Sequence, residues 1–336
     1  MPALAVADAL RAEGHDVVFA GGQRAEAELV PAAGYELRPL NVEGIDRRNP
    51  LKAVRAVAKA AAALVAARRM LRAERPDVVM GGGGYVAGPV GAACVLARIP
   101  LVLTEADSHL GLTNRALARF ARRVCLAFPI EGRHGARYLV TGRAVPPPVT
   151  DRAGARERFG LGDDDTCVLV FGGSLGARSI NEAAIDAFAG AAFHVLHACG
   201  SRDYASLRDR VPSENYDLRE YITPFGDALV ACDLCVARAG SSIFEIAAHG
   251  RPAILVPYPF ASADHQTANA EWMRRAGAAV VVPDAELSAE RLAREVGELL
   301  GDRGRLRAMG RAAAGLARAD AAQVIAGQLL AAAAQR

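Results

Sequence analysis

The sequence predicts an α/β protein of two doubly wound domains, each a parallel sheet covered by helices on both faces. Three observations predict it. Short β-branched runs alternate with helical patterns along most of the chain, a pattern-free stretch divides that alternation, and in each half one strand runs straight into glycines. A length of 336 residues is enough for two cores of ordinary size.

Pro2, directly after Met1, is the favoured first position of a helix that should end at Gly14. Strands are expected at 16–20, 36–40, 77–80, 100–104, 123–127 and 138–141, with helices between most of them. The segment RAVPPPVT at 143–150 breaks every period and is the expected linker. A second series follows at 166–171, 193–198, 217–222, 234–237, 252–257 and 278–282, and an Ala-rich helical tail runs from Ser288 to Gln335. The expected organisation is a first domain over 1–143, a second over 144–318, and a terminal helix over 319–336 packing back on the first domain.

Composition excludes several classes. A net charge of +3 is too small to argue for nucleic acid, and with Lys52 and Lys59 the only lysines the Arg and Ala richness reads as genomic bias. The six cysteines sit mostly in apolar runs, which reads as buried reduced thiols, Cys232-x-x-Cys235 included. No secretory signal is visible at the start. The longest uncharged run, 78–97, has spanning length but holds six glycines and Pro89, so it reads as strand, glycine loop and helix.

The densest chemistry lies in RAGSSIFEIAAHGRPAILVPYPFASADHQ, residues 238–266. An apolar run ends at Arg238, and Ala239-Gly240-Ser241-Ser242 opens a helix with Glu245 in its first turn. Unpaired N–H groups at such a start favour an anion, and Gly240 allows close approach. Glu245 would repel a phosphate, so it suits a neighbouring neutral diol such as a ribose. The next strand delivers Asp264, His265 and Gln266, a mixed donor and acceptor set suited to sugar hydroxyls. The glycine turns GGGGY at 81–85 and GGSLGA at 172–177 match neither a dinucleotide fingerprint nor a phosphate-binding P-loop, but the second, with Ser174, can still cradle phosphate oxygens.

The tracts GGGGYVAGP, EADSHLGLTN, VLVFGGSLGARSIN, RAGSSIFEIAAHGRPAILVPYP and DHQTANA, in this order and spacing over nearly the whole chain, resemble the MurG family, the bacterial N-acetylglucosaminyltransferases that form lipid II. The resemblance implies a GT-B fold of two Rossmann-like domains facing a cleft. It implies UDP-N-acetylglucosamine as donor, the undecaprenyl-linked lipid I as acceptor, and peptidoglycan synthesis on the cytoplasmic face of the cell membrane. No cofactor is expected, and the partners expected are the donor, lipid I and an anionic membrane surface. The family's donor site falls on Ser174, on Ile222 beside the uracil, on Gly240, Ser241 and Ser242 at the diphosphate, on Glu245 at the ribose, and on Gln266 at the sugar, beside which the mixed polar set also puts His265. Tyr85, Glu105 and Asn114 fall on the acceptor side, with Asp107 standing where the family has Asn. Glu105 ends a strand and Asn114 sits in a first helical turn, where capping alone accounts for either.

This chain departs from the family in reading Thr104-Glu105-Ala106-Asp107 for His-Glu-Gln-Asn and Gly142-Arg143-Ala144-Val145-Pro146 for Gly-Asn-Pro-Val-Arg. The family's opening strand and histidine-bearing glycine loop have no counterpart before Pro2, so the first strand of domain 1 is expected to be missing and the catalytic base is sought at Asp107 or His109. Asp163-Asp164-Asp165 reads as a solvated turn rather than a metal site. His194 and His197 point to opposite faces of one strand. The helical segment 51–71 carries Lys52, Arg55 and Lys59 beside an apolar stripe, a face able to touch anionic lipid. The rival readings are a UDP-sugar epimerase of the same fold, which would release an altered sugar without acceptor, and a non-catalytic nucleotide-sugar-binding protein, which would bind UDP without turnover.

Overall fold

The computed structural model describes residues 2–22, 26–40, 50–173, 175–211, 213–261 and 264–335, without the side chains of 50–60 and Tyr85. Two compact units form, residues 1–146 with 318–336, and residues 147–317.

In the first unit α1 (Pro2–Ala12) is followed by β1 (Val18–Gly21), α2 (Glu26–Ala32), β2 (Glu36–Pro39), α3 (Pro50–Glu74), β3 (Val79–Gly81), α4 (Gly84–Ala97), β4 (Leu101–Glu105), α5 (Leu112–Leu117), β5 (Arg123–Leu126) and β6 (Tyr138–Val140). Helix α1 closes as its glycine requires: Gly14 takes φ 85° and its N–H reaches Arg11 O at 3.0 Å. Among the described residues the strands form two parallel sheets, β1-β2 and β3-β4-β5-β6, rather than the one sheet expected for this domain. Helix α1 serves both. Val6 packs with Val102, Cys125 and Ile325, whereas Ala7 packs with Val30 and Tyr35. Another buried cluster joins Leu40 and Leu71 to Val90, Ala93 and Cys94 on α4.

The second unit contains α6 (Arg152–Arg158), β7 (Cys167–Phe171), α7 (Arg178–Ala187), β8 (His194–Ala198), α8 (Tyr204–Leu207), β9 (Tyr216–Arg219), α9 (Phe225–Ala231), β10 (Leu234–Ala237), α10 (Ile243–Ala248), β11 (Ala253–Leu255), α11 (His265–Arg275), β12 (Ala279–Val281), α12 (Ala289–Gly301) and α13 (Arg303–Leu316). All pairings in its sheet are parallel, in the order β12-β11-β10-β7-β8-β9. Near-continuous apolar strands such as Cys167–Phe171 and Leu234–Ala237 are buried along their whole length, as a sheet covered on both faces demands. The tail is three helices, and the last, α14 (Ala321–Ala333), packs on α1 in the first unit.

Several strands are shorter than their expected spans or shifted from them, and β11 keeps only Ala253–Leu255 of 252–257. The run expected over 217–222 is strand only at Tyr216–Arg219, because the chain turns through Thr223-Pro224 to cap α9. Ile222 is buried all the same.

Candidate functional site

The order of the second sheet places one site by topology alone. From β7 the chain winds outward through β8 to β9, then returns to lay β10 on the other side of β7 and winds outward again. Ligands of doubly wound sheets bind beyond the carboxyl ends of the strands at this reversal. The two turns that leave it are residues 172–177 after β7 and 238–242 after β10, the glycine turns singled out in the sequence.

The turn after β7 is folded tightly on itself. Gly176 has φ 76° and its N–H reaches Gly173 O at 2.9 Å. A Cβ on Gly176 would stand 1.9 Å from Cys199 O, so the turn lies backbone to backbone on the end of β8. Ser174 itself lies outside the described residues.

The turn after β10 is held by Arg238, which the sequence reading left without a role. Its guanidinium is almost fully buried and donates to Val256 O and Pro257 O, both at 3.2 Å, to Asp284 Oδ1 at 2.5 Å and to Ser179 Oγ at 2.8 Å. Ser179, on α7, also donates to Asp284 at 2.6 Å. One side chain thus ties the ends of β10 and β11 to the helix leaving β7. Gly240 follows, and a Cβ there would come 3.9 Å from Gln266 Nε2. Gln266 is held by Tyr258 N–H at 3.0 Å, and Asn269 Nδ2 donates to Ala239 O at 3.0 Å. Helix α11 therefore places Gln266 over the Gly240 turn. Ser241 is exposed, Ser242 precedes α10, and Glu245 is half-buried in its first turn. His265 is the first residue of α11, and Asp264 before it adopts φ 53° and accepts from Thr267 Oγ1 at 2.7 Å.

The first unit has a second constellation at the carboxyl ends of β3 and β4. Glu105 Oε1 accepts from Ala106 N–H at 3.0 Å and Asp107 N–H at 3.3 Å, while Oε2 accepts from Gly111 N–H at 2.8 Å and Asn114 Nδ2 at 2.9 Å. Asn114 donates further to Thr104 O at 2.9 Å. The carboxylate is a staple for the loop 106–111. Thr113 Oγ1 donates to Gly84 O at 3.1 Å, which joins that loop's helix to the glycine turn before Tyr85. Glu105, Asp107, His109 and Asn114 thus share one loop system with Tyr85's helix, and the side chain of Tyr85 is not among those described.

Other sequence candidates resolve simply. Asp165 accepts from Gly162 N–H at 2.7 Å within its turn, and no cluster of metal-binding side chains occurs among the described residues. Cys232 and Cys235 are fully buried with their sulfurs 3.6 Å apart. His197 is fully buried, and burial pushes its imidazole down to about 3, so it is neutral in the fold. The unfolded chain's imidazole takes its proton near pH 6.5, so falling pH below that value favours unfolding, and the contribution is lost progressively toward pH 3. Denaturant titrations from pH 7 to pH 4 should show a stability loss that is smaller in His197→Gln.

Residues 167–325 match the glycosyltransferase family 28 C-terminal domain and residues 1–126 the glycosyltransferase family 28 N-terminal domain. A Moorella thermoacetica protein named UDP-N-acetylglucosamine--N-acetylmuramyl-(pentapeptide) pyrophosphoryl-undecaprenol N-acetylglucosamine transferase is 41% identical over 345 residues, covering 96% of this chain and 93% of that protein. A relative of the same name from Halorhodospira halophila is 42% identical, covering 97% and 92%. The crystal structure of Acinetobacter baumannii MurG superposes with a TM-score of 0.78 at 29% identity, covering 98% of this chain and 95% of that one. The calicheamicin glycosyltransferase CalG4 shares the fold, with a TM-score of 0.69 at 19% identity over 98% and 94%.

Proposed function

Because the chain belongs to glycosyltransferase family 28, we propose that it moves N-acetylglucosamine from UDP-N-acetylglucosamine to the 4-hydroxyl of undecaprenyl-pyrophosphoryl-N-acetylmuramoyl-pentapeptide, turning lipid I into lipid II. The observation that carries this reading is identity of 41% and 42%, over nearly full length, to relatives named for that transfer. The topology of the second unit supports its donor half, since both glycine turns leave the sheet at the switch point.

In this reading the acceptor hydroxyl attacks the anomeric carbon in line, with inversion, while UDP departs. The leaving diphosphate is met by backbone N–H groups of Gly240, Ser241 and Ser242 and by the turn containing Ser174. Glu245 accepts from the ribose hydroxyls, Ile222 lies against the uracil, and Gln266 with His265 addresses the sugar. Tyr85, Asp107 and Asn114 serve the acceptor side, with Glu105 holding their loop. Activity should persist in excess EDTA; loss on chelation with rescue by Mg²⁺ or Mn²⁺ would instead make Asp163 and Asp165 ligands.

The acceptor's lipid requires a membrane face; the side chains of Lys52, Arg55 and Lys59, the basic face read in the sequence, lie outside those described, and other exposed residues of the first unit support the same reading. Val65, Leu96, Leu112 and Phe120 are exposed on α3, α4, α5 and just beyond, helices packed in sequence against one another. Exposed Arg68, Arg69, Arg72, Arg115, Arg119 and Arg122 accompany them, and Arg119 lies over the Phe120 ring at 4.6 Å. Exposed apolar side chains and arginines on the same helices suit peripheral binding to anionic lipid, and no described helix is long and apolar enough to cross a membrane. The reading places the protein on the cytoplasmic membrane face, where lipid II supply bears on wall growth, cell shape and division.

Two experiments separate the donor and acceptor roles. Glu245→Gln should weaken UDP binding by about 1.5–3 kcal/mol in calorimetry, as a charge-assisted pair becomes neutral. Unchanged affinity would remove Glu245 from the site. Glu105→Ala releases four hydrogen bonds from one loop, so acceptor-dependent UDP release should fall about tenfold or more while UDP affinity stays unchanged.

A further inference from the structure

Behind the glycine turn after β7 runs a buried polar chain that no feature of the donor site requires. Tyr216 on β9, His197 on β8 and Asn181 on α7 are all buried. His197 Nδ1 is 2.7 Å from Tyr216 Oη, and its Nε2 is 3.0 Å from Asn181 Oδ1. Asn181 Nδ2 donates to Cys199 O at 2.9 Å and to Asp203 Oδ2 at 3.0 Å. Asp203 is also bound by Arg202 at 3.0 Å and by Arg178 at 3.4 Å.

The direction of every bond in this chain is fixed. Because Nδ2 of Asn181 faces a carbonyl and a carboxylate, Oδ1 must face the histidine, and an amide oxygen only accepts. His197 therefore carries its proton on Nε2, leaving Nδ1 to accept from the Tyr216 hydroxyl. Burial keeps the imidazole neutral, so no second proton disturbs this order.

The far end of the chain touches the glycine turn. Cys199 O, held by Asn181, is the atom 1.9 Å from where a Gly176 Cβ would stand, and Asn181 Nδ2 is 3.2 Å from the same point. A Cβ on Gly200 would likewise stand 2.2 Å from Gly176 N. The backbone of the turn is thus seated on a carbonyl whose position is set by Asn181, and Asn181 is set by His197 and Tyr216.

We infer that Tyr216, His197 and Asn181 are positioning residues that act through Cys199 O to hold the glycine turn in its donor-binding shape. The inference rests on the proposed donor reading of that turn. Its substance is hydrogen-bond direction rather than bulk, which sets up a test in which shape and polarity disagree. In His197→Gln the amide can donate to Asn181 and accept from Tyr216. In His197→Phe a ring of similar shape can do neither.

The test compares both variants and the milder Tyr216→Phe, in the full chain, for UDP binding by calorimetry and for turnover with UDP-N-acetylglucosamine and a lipid I analogue. Donor KM and UDP Kd should rise about tenfold in His197→Phe and about threefold in Tyr216→Phe. The Gln variant should stay near wild type, with kcat and acceptor KM little changed throughout. If Phe is tolerated as well as or better than Gln, the site wants only volume and the inference is overturned. Hydrogen exchange at the Gly176 amide decides the positioning claim even if wild type fails to bind UDP, a result that would sink the donor reading alone. Faster exchange in His197→Phe but not in His197→Gln supports it, and equal exchange in all three overturns it.

Discussion

Replacing Arg238 with alanine should lower the stability of the second unit by about 3 kcal/mol, because its partners stay where they are when the guanidinium goes. Val256 O, Pro257 O, Ser179 Oγ and Asp284 Oδ1 all lose a donor at once. The expected fall in melting temperature is roughly 6–12 °C for a unit of this size. UDP affinity should fall with it, since Arg238 ties the β10 turn to α7 and so to the β7 turn. Arg238→Lys restores the charge without the fork and should recover only part of either loss. Differential scanning calorimetry with and without UDP checks both. A melting temperature unchanged in Arg238→Ala would show that the buried pair contributes nothing net.

Gly176→Ala should cost the donor site more than it costs the fold. An alanine at φ 76° carries about 1–2 kcal/mol of backbone strain, and its methyl would stand 1.9 Å from Cys199 O, which is backbone and cannot swing aside. The turn must therefore refold locally. UDP affinity should drop by about tenfold or more while the melting temperature falls by only a few degrees. The Glu105 loop in the first unit, remote in sequence from this turn, should keep its acceptor KM. Retained UDP affinity would mean that the turn after β7 takes no part in donor binding.

The parallel sheets were legible because their signal is local. Runs such as Cys167–Phe171 and Leu234–Ala237 are apolar over their full length, and glycine follows at the strand end or within a few residues, so strand and turn announce each other. The same locality made the Gly240 turn and Gln266 readable as neighbours. Ile222 shows the limit: its apolar character suggested strand, but β9 ends at Arg219, with Gly200 N–H reaching Glu220 O at 3.0 Å, and Ile222 is buried beyond that end.

Partners distant in sequence were not legible. Arg238 closes an apolar run and offers no pattern, because Ser179 and Asp284 lie 59 and 46 residues away. His197 was readable only as facing opposite to His194, since its partners Asn181 and Tyr216 lie on other elements. Glu105 looked like a cap, and the fold makes it the staple of a whole loop.

The central claim is transfer of a sugar to a lipid-linked acceptor. The most direct measurement incubates the full chain with UDP-N-acetylglucosamine and a lipid I analogue, then follows the lipid by mass spectrometry and UDP by coupled assay. The account predicts that the lipid gains one N-acetylhexosamine, that one UDP appears per lipid converted, and that UDP release depends on the acceptor. An altered free sugar or UDP-sugar formed without acceptor, or UDP binding with no product on the lipid, would contradict it.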